Sequence, residues 1–339
     1  MRQSHTPWPK KNHLLFFLVS SNLLLSGCSV MYDAAGHGMV AFGEDRIMPY
    51  FMTTDDADVA CAMGESMAPV IGAFGGVTDE FNTMLALSSG MCADLRAKQQ
   101  ELRYIRAIYN NNVTEALDAR TAQKTFLALA AKRQWAGYEA IKRVHDVNGE
   151  CPNFRNEAAQ LFWMIGLLDG IQAVMADVAS ESKLGLPLDT VPIVLKGMKC
   201  LDNEKWWGLP QGVEAMTMIL MPTEIPAGID PAQLLEDAVK IGNDQGVRMV
   251  QMLQAALYAG KGDQDKLKSI IRSHVASKAE VSPIPGVKFL DEVSTMQIQL
   301  ISDKIWTQAT GYRTPYGKLG TFWDDKKAAS SALDIDDLL

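Results

Sequence analysis

The residue whose chemistry is best defined by its surroundings is Cys28, which closes the segment Leu25-Ser26-Gly27-Cys28. Three basic residues near the start of the chain precede an apolar run over residues 14–25, and two small residues then lead into the cysteine. This order of segments is that of a secretory signal peptide, and the cysteine completes a bacterial lipobox. We therefore expect residues 1–27 to be removed and the Cys28 thiol to carry a lipid. Palmitate is expected among the acyl chains of this lipid.

The alternative interpretation of this segment is an uncleaved membrane anchor. Its apolar run is shorter than the ~20 residues that a helix needs to cross the hydrocarbon core, so the lipoprotein interpretation is preferred. Ser29 follows the cysteine in place of the aspartate that retains lipoproteins at the inner membrane. The sequence thus predicts a lipoprotein of the outer membrane that faces the periplasm.

Four cysteines remain after Cys28, namely Cys61, Cys92, Cys151 and Cys200. An even number in an oxidising compartment is typical of disulfides, and four cysteines allow three pairings. Cys61 and Cys92 fall on consecutive predicted helices, which favours Cys61–Cys92 together with Cys151–Cys200. The alternative, equally compatible with the sequence, is that all four are buried free thiols.

Motifs for catalysis and for metal or cofactor binding are missing from the sequence. It contains no Gly-x-Ser-x-Gly, His-Glu-x-x-His, Cys-x-x-Cys, phosphate loop or Gly-x-Gly-x-x-Gly. The three histidines beyond the signal segment, His37, His145 and His274, have no partner at motif spacing. We therefore predict a protein that is not an enzyme and that holds neither a cofactor nor a metal.

The charge balance is acidic, with 32 Lys and Arg against 40 Asp and Glu and a net charge of −8. An acidic chain without a basic patch is poorly suited to phosphate backbones. Nucleic acid is therefore not an expected partner.

Adjacent tryptophans, Trp206 and Trp207, form the most concentrated aromatic feature of the chain. On a helix, neighbouring side chains point about 100° apart, so the two cannot face one core layer. One of them can face a cavity or a partner, since tryptophan is frequent at binding hot spots. The alternative is that both pack between successive helices.

Helix-forming residues dominate the chain, and β-branched alternating runs are almost absent. Breakers and caps divide it into predicted helices over residues 55–74, 79–109, 114–145, 158–179, 192–199, 205–221, 231–242, 246–258 and 264–277, with a last helix ending near 310. The helix over 158–179 is apolar enough to suggest a membrane span, but Asp169 and Asp177 favour a core helix.

We expect four segments in the chain. The signal peptide over 1–27 is followed by a flexible tether over 28–50, a helical-repeat domain over 51–325 and a disordered acidic tail over 326–339. The tail ends in Leu-Asp-Ile-Asp-Asp-Leu-Leu. Helix pairs joined by short Gly or Pro turns indicate an all-α fold, a tetratricopeptide-like α-solenoid of helical hairpins.

The order of landmarks between about Phe162 and Trp306 resembles the TatT family of tetratricopeptide-like lipoproteins that accompany TRAP (tripartite ATP-independent periplasmic) transporters. The landmarks are an apolar helix followed by Gly185-Leu186-Pro187, the Trp207-Gly208 step, the helix start Gly228-Ile229-Asp230-Pro231 and the final Lys304-Ile305-Trp306. With the lipobox, the resemblance covers most of the chain.

The resemblance implies a homotrimer that docks a periplasmic solute-binding protein and assists solute uptake. It also implies an apolar cavity for ligand or partner, bordered here by Trp163, Trp206, Trp207 and Met216. The alternative function is a general tetratricopeptide-like scaffold lipoprotein of the cell envelope that has no ligand.

Overall fold

The computed structural model describes residues 31–220 and 225–326, and within these ranges the chain forms helices and no strand. The prediction of an all-α fold is confirmed. The signal peptide, Cys28 and nearly all of the predicted acidic tail lie outside the described residues.

The helices are numbered along the chain. They are α1 (residues 31–42), a π-helical turn at Gly43–Ile47, α2 (Met48–Thr53), α3 (Ala57–Gly72), a 3-10 turn at Gly75–Thr78, α4 (Asp79–Tyr109), α5 (Val113–Val144), α6 (Glu157–Ala179), α7 (Thr190–Met198), α8 (Leu209–Leu220), α9 (Pro231–Asp244), α10 (Met249–Lys261), α11 (Gln264–Glu280), a 3-10 turn at Pro285–Val287, and α12 (Lys288–Thr310).

Residues 31–50 differ from the predicted tether, because they are helical and pack on the body of the protein. Two glycines of this segment are points of close packing: Gly36 faces Val77 and Gly43 faces Phe81. Glu44 forms an ion pair with Arg155 at 2.7 Å. Tertiary contacts therefore override the local composition, as they often override helix propensity.

Polar side chains begin several helices where the sequence places them. Asp56 and Asp230 accept hydrogen bonds from the first backbone N–H groups of α3 and α9, which is the usual role of an N-cap. Thr114, where the sequence predicts this helix to begin, lies inside α5, because Asn112 caps the helix by accepting a hydrogen bond from Glu115 N. From α3 to α12, the predicted boundaries differ from the observed ones by up to four residues, and the helices follow in the predicted order.

The N-terminal half is built around the hairpin of α4 and α5, which pack along their lengths and are joined by the turn at residues 110–112. Helix α3 packs on α4, and α6 packs on both α5 and α4. Helix α6 is long and apolar enough to cross a membrane, but 78% of its most apolar window is buried inside the protein. This burial agrees with a core helix.

Two disulfides connect the helices of this half. Cys61 on α3 pairs with Cys92 on α4, and Cys151 pairs with Cys200 after α7, each pair with Cα atoms 5.3 Å apart. The favoured pairing is therefore confirmed, and the alternative of four free thiols is wrong.

In the C-terminal half, α10 packs on α8, α9, α11 and α12, and α12 returns to α4. The centre of this half is Arg248, whose side chain is fully buried with that of Asp291. The guanidinium donates to both carboxylate oxygens at 2.8 Å and to the Ser277 carbonyl at 2.7 Å. The start of α10, the end of α11 and the start of α12 are thereby joined through one side chain.

We expect Arg248→Met to lower the free energy of unfolding by about 3–5 kcal/mol, because it leaves the Asp291 carboxylate buried without its partner. Urea denaturation followed by circular dichroism measures the loss. The double variant Arg248→Met/Asp291→Leu removes both charges and is expected to recover much of it. Equal instability of the single and double variants would contradict a cost arising from an unpaired charge.

Candidate functional site

Trp206 and Trp207 lie in the turn before α8, and both are buried in the core. Their rings pack edge to face with centroids 5.3 Å apart, and the Trp206 indole donates to Gln160 Oε1 at 3.2 Å. The predicted helix start at Lys205 is wrong, since α8 begins at Leu209. Pro210 lacks the N–H that a helix continuing through this point would require.

Gly208 makes this turn possible. Its φ is +74°, and an added Cβ atom would overlap the backbone carbonyl of Ala238 on α9. Trp207 also adopts a left-handed conformation, with φ of +57°. The turn directs both tryptophans inward, and the geometry therefore corresponds to the alternative in which both pack between helices.

Gly208→Ala is expected to destabilise the protein by about 2–4 kcal/mol. The strain of a left-handed backbone conformation adds to an overlap with a backbone carbonyl, which cannot move aside as a flexible side chain could. The matched control is Gly228→Ala, where φ is +84° but no atom lies within 4 Å of the added Cβ. The control is expected to cost about 1 kcal/mol. Thermal and urea denaturation of both variants measure the difference, and equal costs would remove the role assigned to the Ala238 contact.

The four side chains expected to border a cavity do not share one environment. Trp163 on α6 belongs to the same packed core as Trp206 and Trp207, but it also lines the cleft described next. Met216 on α8 is partly buried against the same core. Trp163 is held in place by a hydrogen bond from its indole N–H to the Gly197 carbonyl at 3.0 Å.

A cleft of about 440 Å³ lies where α5 ends and α6 begins, and we call it the disulfide cleft. It is lined by the loop over residues 147–151, by Trp163, and by Lys196, Gly197 and Cys200. The Cys151–Cys200 disulfide forms part of its wall, and Lys196 Nζ donates to the Asn148 carbonyl at 2.6 Å. Its volume is in the lower part of the range for small-molecule sites. Lys196 and Glu150 bring one positive and one negative charge to its lining.

A cluster of charged side chains lies behind Trp163. Arg155 forms ion pairs with Glu80 at 2.5 Å and with Glu44 at 2.7 Å, and His145 Nε2 lies 3.4 Å from Glu80 Oε1. Burial opposes the charge on Glu80, but the contact with His145 and the charge of Arg155 outweigh burial and lower the pKa of Glu80. The His145 ring also contacts Trp163, with centroids 5.5 Å apart.

This cluster connects three segments that are distant in sequence: the N-terminal helical segment, the start of α4 and the loop before α6. Its carboxylates already have basic partners, so its clearest effect is to fix the loop that lines the disulfide cleft. The sequence gives no sign of this cluster. Glu44, Glu80 and Arg155 are too far apart in the chain to form any motif, and only the folded helices bring them together.

The other histidines are separated from the cleft. His37 lies exposed on α1, and His274 is buried on α11 between Gln251 and Thr295, with ring-nitrogen distances of 3.0 and 3.1 Å. Burial lowers the pKa of His274 to about 3, which keeps the ring neutral.

Asp169 is a second unusual group, located in the middle of α6. Its carboxyl is fully buried, and neither oxygen has a hydrogen-bond partner among the described residues. It faces Gly137 on α5, where an added Cβ atom would overlap Oδ2. Burial raises the pKa of Asp169 well above its ordinary value, which favours the neutral acid.

We expect Asp169→Asn to raise the free energy of unfolding at pH 8, because the amide is neutral at every pH whereas the carboxyl must either take up a proton or be buried with its charge. Because the folded pKa is raised, the wild-type protein loses stability as pH rises from about 4 towards that pKa. The gain from the asparagine should therefore grow over this interval and be small at pH 4. Urea titrations at the two pH values measure it.

The matched control is Asp177→Asn on the same helix. Asp177 is also buried, but its two oxygens accept hydrogen bonds from Leu184 N at 2.8 Å and Leu186 N at 2.9 Å. This substitution should destabilise the protein. If both asparagine variants moved stability in the same direction, the missing partner of Asp169 would not be the cause.

In the described ranges, no group of three or more His, Cys, Asp and Glu side chains is placed to hold a metal ion. Comparison with protein-family models, with curated proteins and with solved structures finds no match for this chain.

Proposed function

We propose that the chain is a lipid-anchored helical binding protein of the bacterial cell envelope that serves a TRAP-type transporter. It acts by contact with the periplasmic solute-binding protein and by binding an amphiphilic ligand. The structural observation that supports the location is the pair of disulfides, Cys61–Cys92 and Cys151–Cys200. Such bonds persist in oxidising compartments such as the periplasm, in agreement with the lipobox at Cys28.

The transporter partner is supported by the resemblance in the order of landmarks between about residues 162 and 306. A tetratricopeptide-like solenoid and a homotrimer belong to the same proposal. The alternative, a general scaffold lipoprotein without a ligand, is supported by the burial of Trp163, Trp206 and Trp207, three of the four side chains expected at a cavity, each of which exposes 6% or less of its surface.

The ligand part of the proposal depends on the disulfide cleft. Trp163, which is 1% exposed, forms part of the inner wall of the cleft, Lys196 supplies a positive charge at the same cleft, and the disulfide holds the loop against α7. An amphiphile can place its anionic group beside the Lys196 ammonium group and its apolar part within the cleft.

Lys196→Ala is expected to weaken binding of anilinonaphthalene sulfonate, used as an anionic amphiphilic probe, by about fivefold (~1 kcal/mol). Lys199→Ala is the matched control, because Lys199 is exposed on the same segment, outside the cleft lining, and pairs with Glu214. Fluorescence titration gives both affinities. Unchanged binding in the first variant, or equal loss in both, would contradict a site in the cleft.

Two further measurements test the rest of the proposal. Palmitate labelling of the wild-type chain and of Cys28→Ala tests the anchor. The wild-type chain should be labelled, and the variant should not. Calorimetry with the TRAP solute-binding protein of the same organism tests the partner. An anchored chain that binds neither that protein nor the probe would favour the scaffold alternative.

A further inference from the structure

The tip of the α4–α5 hairpin exposes a group of large apolar side chains. Ile108, Tyr109, Val113, Leu117 and Tyr312 are between 49% and 65% exposed. Tyr109 and Val113 flank the turn at 110–112, and Val113 and Leu117 share one face of α5 through their spacing of four residues. We call these five residues, with the arginines described next, the tip surface.

Three arginines belong to the same tip, and each donates to a neutral acceptor. Arg106 donates to the Gly311 carbonyl at 3.2 Å, Arg120 to Gln123 Oε1 at 2.7 Å, and Arg313 to Gln99 Oε1. No salt bridge joins any of the three to a carboxylate in the described part of the chain. The nearby acids Glu115 and Asp118 are both paired with Arg103.

The tip surface is therefore positive and apolar on a chain whose net charge is −8. Arginine and tyrosine beside aliphatic side chains are the residue types enriched at protein interfaces. The complementary ligand is a segment that combines carboxylates with leucine or isoleucine.

Such a segment is present in this chain, at Leu333-Asp334-Ile335-Asp336-Asp337-Leu338-Leu339. It has three aspartates and four aliphatic residues, against three arginines and five apolar side chains at the tip surface. The match therefore holds in both charge and apolar character.

The described chain also ends close to the tip surface. The Trp306 ring lies 5.6 Å from that of Trp323, near the end of the described residues, and 5.8 Å from that of Tyr312. The seven residue-to-residue steps from Lys326 to Leu333 can span up to about 23–25 Å when extended. Asp324 and Asp325 are paired with Lys268 and Arg272 on α11. These two basic side chains therefore already have acidic partners and do not compete for the aspartates of residues 333–339.

We propose that residues 333–339 bind the tip surface of their own chain, with the aspartates towards Arg106, Arg120 and Arg313 and the aliphatic side chains on the apolar residues. The segment then covers an interaction surface that its release exposes. Electrostatic attraction holds the segment over this surface, so its occupancy falls as salt concentration rises.

The proposal is tested by photo-crosslinking in the full chain purified in detergent, with Tyr312→p-benzoylphenylalanine as the probe and mass spectrometry to map the products. The expected main product joins position 312 to residues 333–339. Tyr50→p-benzoylphenylalanine, at a similarly exposed tyrosine on α2, is the control and should not reach the segment.

Charge removal provides the second arm. Arg106→Gln/Arg313→Gln, or Asp334→Asn/Asp336→Asn/Asp337→Asn, should lower the crosslinked fraction at least about fivefold. Lys240→Gln, which removes one charge from an exposed pair on α9, should leave it unchanged. A circular dichroism spectrum and melting temperature equal to wild type show that each variant is folded.

Three results would overturn the proposal. The first is the absence of a link from position 312 to the segment, and the second is a link that persists when the charges are removed. The third is a different occupant. Links between light and heavy isotope-labelled chains would identify a second copy, and links to phosphatidylglycerol in added vesicles would identify an anionic membrane.

Discussion

The close approach of α5 and α6 is the contact on which the rest of this structure depends. At Gly137, Gly166 and Gly170, an added Cβ atom would overlap a side chain of the facing helix. Because these positions lack a side chain, Ile141 and Tyr138 of α5 fill the space above α6, and α6 becomes the buried centre of the N-terminal half. The position of α6 is thereby set by its contact with α5.

Fixing α6 determines where the aromatic side chains go. Gln160, near its start, accepts from the Trp206 indole, and Trp163, one turn later, donates to Gly197 at the end of α7. The disulfide cleft is thus bounded by groups that α6 holds in place.

The two halves differ in how their buried carboxyl groups are paired. Asp291 has a full set of partners around Arg248, whereas Asp169 has none among the described residues. An unsatisfied buried carboxyl costs stability.

Sequence reasoning succeeded where the signal is local. The all-helical fold, the turn at residues 110–112, the Asp230 cap and the favoured cysteine pairing follow from composition, breakers and neighbouring helices. It failed where the determinant is distant in the chain. The glycines of residues 31–50 signal flexibility until Val77 and Phe81 are known to pack against them, and the turn at Trp206 and Trp207 depends on the carbonyl of Ala238. The cluster around Glu80 has no local signal, whereas Asp169 had one, as an acid within the most apolar helix.

The length of α4 separates two functional regions. Its 31 residues span about 46 Å at 1.5 Å per residue. Residues 36 and 43 of the N-terminal helical segment pack beside its first residues, and the disulfide cleft lies at this same end, where α5 finishes and α6 starts. The tip surface lies at the other end. If Cys28 carries the proposed lipid, the cleft is the region closer to the membrane, where amphiphiles are concentrated. The tip surface, at the opposite end of α4, then lies farther from that membrane.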